Sequence, residues 1–370
     1  MIQLLASTRS KEYPIYLSVD SIDRIGSLWA SQGDTGKVAA ITDTNVGGLY
    51  LPQIERSFEE AGFTFTATEV DAGEGTKTLA QAAKLYSRLF ELKIRRGDAV
   101  CALGGGVIGD LAGFVASTYM RGVRLIQVPT TLLAQVDSSI GGKTGVNIPE
   151  AKNYVGSFYQ PDMVLTDPVF LKTLPPEQMA EGLAEVIKYA LLSGEDFFDA
   201  LETSYQSLLD LDMAFLETVV RRCIEYKLAV VAEDERDYGR RAVLNLGHSV
   251  GHGIEAAGNY RLYSHGQAVA LGLLAAVRLS EKIFSLPPEY GESLASLHKL
   301  LGLPTVLKGV EPRAVMESMA ADKKADGISA NMVLLRKIGD PVINCDVDAG
   351  LLASEVERLA SGASAGSWTI

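Results

Sequence analysis

Three of the four histidines in this 370-residue chain lie between positions 248 and 265, among polar neighbours. Arg241 and Asn245 precede His248 and His252, and His265 follows them. On an α-helix with about 100° per residue, the first four side chains would fall within an arc of roughly 60°. One helix face would then present a cation, an amide and two imidazoles. The cluster indicates a metal site or an acid–base site, because imidazole binds metals and titrates near neutral pH.

Metal sites in enzymes commonly use three protein ligands and leave a position open for substrate. His248 and His252, one turn apart, are the obvious pair by spacing, and His265 with a carboxylate would complete the set. Glu185 is the leading acid, with Lys188 three residues later on the same face of an apolar helical stretch. An ordinary surface ion pair explains Glu185 and Lys188 equally well. Spacing alone does not decide which two histidines bind.

A glycine-rich segment from Gly104 to Gly109 has the spacing G-x-G-x-x-G between a strand-like run and an apolar helical pattern. Such glycines let the backbone approach a pyrophosphate at a helix N-terminus. The expected acid about 20 residues downstream is missing, since Arg121 and Arg124 occupy that region. Asp43 or the loop over 73–77 could contact the ribose instead. A tight turn without ligand is the alternative.

Two further segments, 128–132 and 137–147, are rich in hydroxyl groups and glycine, and the second contains Lys143. Lys152 and Asn153 follow shortly after. Backbone N–H groups and ammonium groups in such loops suit oxyanion binding. Any one of these segments could be a solvated turn, but all of them beside the glycine motif favour a phosphate-bearing ligand.

The bulk composition describes a globular protein, with 47% hydrophobic and 22% charged residues. The net charge of −12 argues against nucleic acid or an anionic membrane as the main partner. Three scattered cysteines suggest buried thiols in a reducing compartment. We find no signal-peptide pattern and no apolar run near the ~18 residues of a membrane span. A cytoplasmic protein is therefore expected.

Strand and helix patterns alternate up to about residue 175. Residues 37–42, 63–70, 98–103 and 125–129 are typical of strands, and 79–92 and the stretch after Asp110 are typical of helices. This alternation predicts a largely parallel sheet with helices on both faces. The later chain has amphipathic helical patterns over 177–192, 213–232, 243–257, 267–284 and about 292–301, with one strand over 331–335. We predict an α/β domain over 1–176 and a mainly helical domain over 177–370.

Five segments together resemble the 3-dehydroquinate synthase family, in that family's order. They are residues 104–117, 119–147, 152–153, 183–192 and 244–255, and the resemblance covers roughly 40 to 340. It implies a Rossmann-like NAD-binding α/β domain, a helical domain and a zinc ion in the cleft between them, with cobalt a possible substitute. It also implies a homodimer that converts 3-deoxy-D-arabino-heptulosonate 7-phosphate to 3-dehydroquinate and phosphate in the shikimate pathway, towards chorismate and the aromatic amino acids.

The resemblance also assigns individual residues. The implied metal ligands are Glu185, His248 and His265, so His252 is left to face the substrate. The implied NAD contacts are Asp43, Glu74, Lys77, Gly106, Val107, Ile108, Gly109, Asp110, Thr130, Thr131, Phe170, Leu171, Lys172 and Thr173, with Lys143 and Lys152 shared with substrate. The other implied substrate contacts are Asp137, Asn153, Lys188, Lys227, Arg241, Asn245 and His252. Arg121 resembles an arginine that reaches across the dimer interface.

One position departs from the family pattern. A lysine often follows the Ile-Gly pair near the C-terminal end, whereas Asp340 follows Gly339 here, and Lys337 and Lys324 are two candidates for the missing charge. Three rival functions remain. They are another sugar-phosphate cyclase, a polyol or glycerol-phosphate dehydrogenase of the same architecture, and an inactive NAD-binding or scaffolding protein.

Overall fold

The computed structural model describes residues 1–33, 36–324 and 331–362. The chain forms two compact units. The first contains Met1–Pro175 and Met213–Arg236, and the second contains Pro176–Asp212 and Asp237–Ile370. The sequence predicts a single boundary after residue 176. In the structure, the helical segment within Met213–Arg236 belongs to the first unit.

The first unit is built on a seven-stranded sheet with the order β1-β2-β9-β6-β5-β3-β4. Its strands and those of a separate hairpin are β1 Ile2–Ser7, β2 Glu12–Leu17, β3 Lys37–Asp43, β4 Thr64–Val70, β5 Ala99–Gly104, β6 Arg124–Pro129, β7 Lys143–Ile148, β8 Ala151–Phe158 and β9 Met163–Thr166. The edge strand β1 is antiparallel to β2, and the other neighbours are parallel. The hairpin pairs β7 with β8. The predicted parallel sheet is confirmed.

Helices cover both faces of this sheet, as the apolar strands require. They are α1 Ile25–Ala30, α2 Gly47–Glu60, α3 Leu79–Glu91, α4 Gly106–Thr118 and, later in the chain, α8 Met213–Glu233. Trp29 and Phe58 pack on one face, and Leu85 and Leu111 on the other. Helix α4 begins at Gly106, earlier than the pattern after Asp110 predicts, so the glycine-rich segment forms its first turn.

The second unit is mainly helical, as predicted. Its elements are α5 Pro176–Ser193, α6 Glu195–Thr203, α7 Tyr205–Leu209, α9 His248–Ala257, α10 His265–Phe284, α11 Glu289–Leu300, α12 Pro312–Lys324, α13 Ala349–Ser361 and the hairpin β10 Asn331–Lys337 with β11 Asp340–Asp346. Helix α10 is its centre. It is buried along most of its length and packs against α5, α9, α11, α13 and β10. None of the helices in the described ranges is both long enough and apolar enough to cross a membrane.

The helix predicted over 243–257 is wrong in its first third. Arg240–Asn245 form a short 3-10 helix, and α9 begins only at His248. Gly247 between them has a φ of 79°, in the left-handed region. A Cβ atom on Gly272 of α10 would lie 1.9 Å from the Gly247 carbonyl oxygen, so the two backbones touch here. Arg241 and Asn245 therefore do not share a helix face with His248 and His252.

Candidate active site

Glu185, His248 and His265 bring one ligand atom each to a common centre in the second unit, within 4.8 Å of one another. Oε1 of Glu185 lies 3.3 Å from Nε2 of His265 and 3.6 Å from Nε2 of His248. Two ligands of a tetrahedral ion, each at about 2.1 Å from it, lie roughly 3.4 Å apart. The three side chains therefore have the types and the spacing of a site for a zinc-sized divalent ion.

Two helix starts position the histidines, since His248 is the first residue of α9 and His265 the first of α10. Ser264 caps α10, because its side chain accepts from the Gln267 N–H while the Gln267 side chain accepts from the Ser264 N–H. This capping box fixes where α10 begins. Gly266 then allows close approach to α5, because a Cβ atom there would lie 2.3 Å from Cα of Glu181. The contact places His265 beside Glu185, one turn further along α5.

The outer edge of each ring has its own partner. Nδ1 of His248 lies 3.2 Å from the carbonyl oxygen of Leu246, and Nδ1 of His265 lies 3.2 Å from Oε2 of Glu255. A carbonyl oxygen only accepts, so Nδ1 of His248 carries the proton and its Nε2 lone pair faces Glu185. Outer partners of this kind orient metal-ligating histidines and raise their basicity.

The surroundings shift the two imidazoles in opposite directions. Burial lowers the pKa of His248 to about 3, which keeps the ring neutral as a metal ligand must be. Burial also disfavours the charged form of His265, but hydrogen bonds and charges from Glu185 and Glu255 outweigh it and raise its pKa to about 10. An ion bound by His265 must therefore displace a proton.

His252, Glu255 and His265 form a second group with ligand atoms within 4.8 Å of one another. This group uses the other edge of the His265 ring, and His252 is exposed, whereas Glu185 is 1% exposed. A buried carboxylate interacts more strongly with an ion because little water screens the charges. The Glu185 group is the better candidate for an ion, and Glu255 for orienting the His265 ring. The His252 ring stands 5.4 Å from that of His248, centroid to centroid.

Lys188 belongs to the same centre. Its ammonium lies 2.5 Å from Oε2 of Glu185, and the two side chains are 2% and 1% exposed. The interpretation as an ordinary surface ion pair is therefore wrong. Arg241 is also buried, and Asn245 is exposed. For the missing C-terminal cation, Lys337 is exposed on β10, whereas the side chain of Lys324 lies outside the described part of the structure.

In the first unit, most of the predicted cofactor residues follow carboxyl ends of parallel strands. Asp43 ends β3, the glycine turn follows β5, Thr130 and Thr131 follow β6, and Phe170, Leu171, Lys172 and Thr173 follow β9. The connections leave β3 and β5 towards opposite sides of the sheet, so a topological switch point lies between these strands. Ligands of open α/β sheets bind at this position.

The glycine turn is tightly packed at that edge. A Cβ atom on Gly105 would lie 2.9 Å from Cγ2 of Thr131, and one on Gly106 would lie 3.0 Å from Oγ of Ser138. Only glycine fits here without displacing these side chains. Helix α4 begins at Gly106, within this turn, and its first backbone N–H groups can bind phosphate oxygens.

Lys77 links two loops to the start of α4. It is 3% exposed, and its ammonium donates to Oδ2 of Asp110 and to Oδ1 of Asn153. Burial raises the pKa of the Asp110 carboxyl above its ordinary value, although Lys77 acts in the opposite direction. Elsewhere in this unit, Lys227 of α8 donates to the backbone oxygen of Asp137 at 2.7 Å and to its Oδ1 at 2.8 Å. The structure thus brings together two sets of predicted site residues.

The remaining predicted cations are at the surface. Lys143 and Lys172 are exposed and Lys152 is half-buried. Arg121 is exposed on a turn in which Met120, Arg121 and Gly122 all have positive φ values of 51°, 64° and 117°. Such backbone conformations cost free energy in residues other than glycine, and they cluster at functional sites.

Sequence reasoning missed two residues, Glu255 and Asn147, that make hydrogen bonds to predicted site residues. Glu255 lies three residues after His252 on α9, and that helical spacing was a usable signal. Asn147 is the last residue of the polar segment 137–147, and its hydrogen bonds to Glu74, Lys77 and Asn153 depend on loops distant in sequence. No pattern in the sequence indicates them.

Comparisons with known proteins show which family this chain resembles. The model of the 3-dehydroquinate synthase N-terminal region matches residues 67–181, and that of the C-terminal region matches residues 182–325. The 3-dehydroquinate synthase of Desulforamulus reducens (strain ATCC BAA-1160 / DSM 100696 / MI-1) is 46% identical over 346 residues, which cover 93% of this chain and 96% of the relative.

Two solved structures share the fold. The 2-epi-5-epi-valiolone synthase from Streptomyces hygroscopicus subsp. jinggangensis 5008, with NAD+ and Zn2+ bound, has a TM-score of 0.87 at 27% identity and covers 97% of this chain and 100% of its own. A 2-deoxy-scyllo-inosose synthase complexed with carbaglucose-6-phosphate, NAD+ and Co2+ has a TM-score of 0.86 at 25% identity and covers 96% of this chain and 100% of its own.

The sheet unit with its glycine turn and the helical unit with its carboxylate–histidine cluster define the class, which is that of the sugar-phosphate cyclases. Within that class the matches extend over both units and most of the chain. The chain belongs to the 3-dehydroquinate synthase family.

Proposed function

We propose that this enzyme converts 3-deoxy-D-arabino-heptulosonate 7-phosphate to 3-dehydroquinate and phosphate. The reaction combines oxidation of a substrate alcohol, elimination of phosphate, reduction and intramolecular aldol closure. The observation that carries the proposal is the Glu185, His248 and His265 cluster, in a chain that matches the family over both units. A position in the shikimate pathway follows from the product.

Glu185, His248 and His265 would hold a divalent ion, for which zinc is our first choice and cobalt the second. The fit rests on the two Nε2 atoms that face one carboxylate oxygen and on the fixed tautomer of His248. A bound divalent ion supplies Lewis-acid polarisation of substrate hydroxyl groups. Lys188 faces the same carboxylate and would donate a hydrogen bond to a neighbouring substrate oxygen. The Glu185 and Lys188 side chains, which are 1% and 2% exposed, make their contact away from water.

The carboxyl edge of the sheet would hold NAD, which supplies the acceptor and the donor of hydride and is unchanged after each turnover. The glycine turn with the start of α4 would bind its pyrophosphate, and Asp43 would contact a ribose. Thr130, Thr131 and the segment after β9 would line the rest of the site. The support is their common position after the parallel strands at the switch point.

Local cations would neutralise the substrate phosphate and carboxylate against the global charge of −12. Arg241 would bind one of the two anions, since a guanidinium binds either in a two-pronged geometry. Lys152 and Lys227 would add further positive charge. His252 and Asn153 would contact the phosphate, with His252 as the group that exchanges a proton with it. Asp137, Lys143 and Asn245 would complete the substrate contacts.

We further propose that the enzyme acts in the cytoplasm as a homodimer, with Arg121 of one subunit contacting substrate in the other. Cys101 and Cys223 are buried thiols, which suits a reducing compartment. The exposed Arg121 side chain lies on a turn with a left-handed backbone, and this supports a contact outside its own subunit.

Phosphate release from the heptulosonate phosphate tests the proposal, with and without NAD+ and with a chelator. Release should require NAD+, stop with the chelator and proceed without net NADH absorbance. Accumulating NADH would instead identify a polyol dehydrogenase, and turnover of glucose 6-phosphate or a heptulose 7-phosphate alone would identify another cyclase. Glu185→Ala should lose both metal and turnover while keeping its fold, and the exposed Glu289→Ala should lose neither. Full zinc and full turnover in Glu185→Ala would refute the assigned site.

A further inference from the structure

Asn147 occupies an irregularity in the β7–β8 hairpin. Val146 pairs with Val155 and Ile148 pairs with Ala151, so the register shifts across Asn147. The backbone N–H of Asn147 donates instead to the carbonyl oxygen of Lys77 at 2.8 Å, on another loop. Three residues of β8, from 152 to 154, thus lie opposite this single residue of β7, and bulges of this kind often redirect a side chain next to an active site.

The amide side chain of Asn147 joins two more residues. Its Nδ2 donates to Oε1 of Glu74 at 2.7 Å, and its Oδ1 accepts from the backbone N–H of Asn153 at 2.8 Å. The orientation is fixed chemically, because a backbone N–H only donates and a carboxylate only accepts. Asn153 has a φ of 57°, a left-handed conformation that needs support from its surroundings.

One residue thus holds Glu74, Lys77 and Asn153, three groups that the proposed function assigns to cofactor or substrate. Lys77 extends the network to Asp110 on α4, beside the glycine turn. Without the Asn147 amide, the Glu74 loop and the left-handed Asn153 each lose a hydrogen bond. Asn153 would then be held less firmly, and its Oδ1 would no longer be fixed as an acceptor for the buried Lys77 ammonium.

We infer that Asn147 is a positioning residue for the NAD+ site, because its hydrogen bonds attach the loop over residues 74–77 to the β7–β8 hairpin. This inference rests on the proposed function, because the roles of Glu74, Lys77 and Asn153 come from it. Asn147 is not placed in contact with NAD+ or substrate, and it acts through the three residues that it holds.

A polarity-swap experiment tests the inference. Asn147→Asp keeps the acceptor for Asn153 but sets two carboxylates against each other at Glu74, so it should raise the Kd of NAD+ about tenfold. Glu74→Gln alone retains an acceptor for the Asn147 amide. In the double variant Glu74→Gln/Asn147→Asp, the new amide donates to the new carboxylate, and the Kd should return to within about twofold of Glu74→Gln.

Calorimetric titration of NAD+, the thermal unfolding temperature, kcat and KM are measured for all variants. Gln3→Glu, the same amide-to-acid change on the edge strand β1, serves as the matched control and should bind as the wild type does. The loss in Asn147→Asp should appear in the Kd and KM of NAD+ more than in kcat. If Asn147→Asp does not fold, the inference is tested by the Kd of NAD+ for the double variant, compared with that for Glu74→Gln.

Two results would overturn the inference while the proposed function stands. One is wild-type NAD+ affinity in Asn147→Asp. The other is a loss of NAD+ affinity in Asn147→Asp that the added Glu74→Gln change does not recover, which would indicate a purely structural role. A wild-type protein that neither binds NAD+ nor releases phosphate would overturn the proposed function together with the inference.

Discussion

Oε2 of Glu255 lies 3.2 Å from Nδ1 of His265, at the ring edge opposite the one that faces Glu185. Glu255 is buried on α9, one helical turn after His252. A single histidine thus connects the candidate ion position with a second carboxylate. In carboxylate–histidine–metal arrangements of this kind, the outer carboxylate orients the ring and raises its basicity.

Glu255→Ala should weaken metal binding about 10- to 100-fold, because His265 loses the partner that orients its ring. Glu255→Gln retains a neutral acceptor for Nδ1–H, so its loss should be smaller. Competition with a chromogenic chelator measures both affinities. The exposed Glu289→Ala on α11 is the control, and unchanged metal affinity in Glu255→Ala would contradict the assigned role.

Gly266→Ala should reduce both metal content and stability. The added Cβ atom would lie 2.3 Å from Cα and 2.6 Å from the carbonyl oxygen of Glu181, so α5 and α10 must separate. Forced overpacking of this kind costs about 1–3 kcal/mol of unfolding free energy, and backbone contacts place this case at the upper end. Metal analysis and denaturant titration provide the readouts.

Gly48→Ala is the matched control for that change. Gly48 is also the second residue of its helix, α2, and a Cβ atom there would meet nothing within 4 Å. Alanine is expected to be neutral or slightly stabilising at this position. If Gly266→Ala retained full metal content and wild-type stability, the close contact between α5 and α10 would not be what positions His265.

Mixing two inactive variants should restore activity if Arg121 acts across a dimer. Arg121→Ala retains the metal ligands, and Glu185→Ala retains the arginine, so a hybrid dimer contains one complete site. Random association of equal amounts would give about a quarter of wild-type phosphate release, because half of the dimers are hybrids with one of two sites intact. No recovery after subunit exchange, verified by mass spectrometry of the mixed dimer, would place Arg121 in its own subunit's site.

His298 should make stability fall in mild acid. Burial lowers its pKa to about 3, and neither ring nitrogen has a hydrogen-bond partner among the described residues. In the unfolded chain the His298 imidazole has a pKa near 6.5, so it binds a proton at pH values at which the folded chain keeps it neutral. Stability should therefore fall as the pH drops below about 6.5, by about 2 kcal/mol between pH 7 and pH 5 from this residue.

His298→Leu should remove that contribution. Urea unfolding of both proteins at the two pH values, with the same metal loading, gives the difference in pH dependence directly. Equal pH dependence of the wild type and His298→Leu would show that the buried imidazole is not the group responsible.

The local patterns that the sequence contains were sufficient for most of the fold. Strands β3 to β6 lie within one residue of their predicted positions, because short apolar runs between turn residues suit a buried parallel sheet. The helical character of the later chain was equally visible. The assignment of α8 to the first unit was not, since an amphipathic helix shows that it has a buried face but not what covers that face.

The candidate site divides in the same way. Residue types and motif order identified the family and nominated Glu185, His248 and His265. Helical spacing, however, paired His248 with His252 and placed Arg241 on the same face. That inference assumed an unbroken helix, and the left-handed Gly247 ends it because the backbone of α10 occupies the adjacent space.

The sequence by itself determined the chemistry available to this protein, namely imidazoles, a carboxylate, cations and a glycine turn, since these are properties of residue types and short spacings. Only the tertiary structure decided which of them meet. His265 reaches Glu185 because Gly266 allows α5 to approach closely. Asn147 reaches Glu74, Lys77 and Asn153 because the register shift in the β7–β8 hairpin leaves it outside the paired positions. Such contacts join residues far apart in the chain, and their distances depend on how whole helices and loops pack.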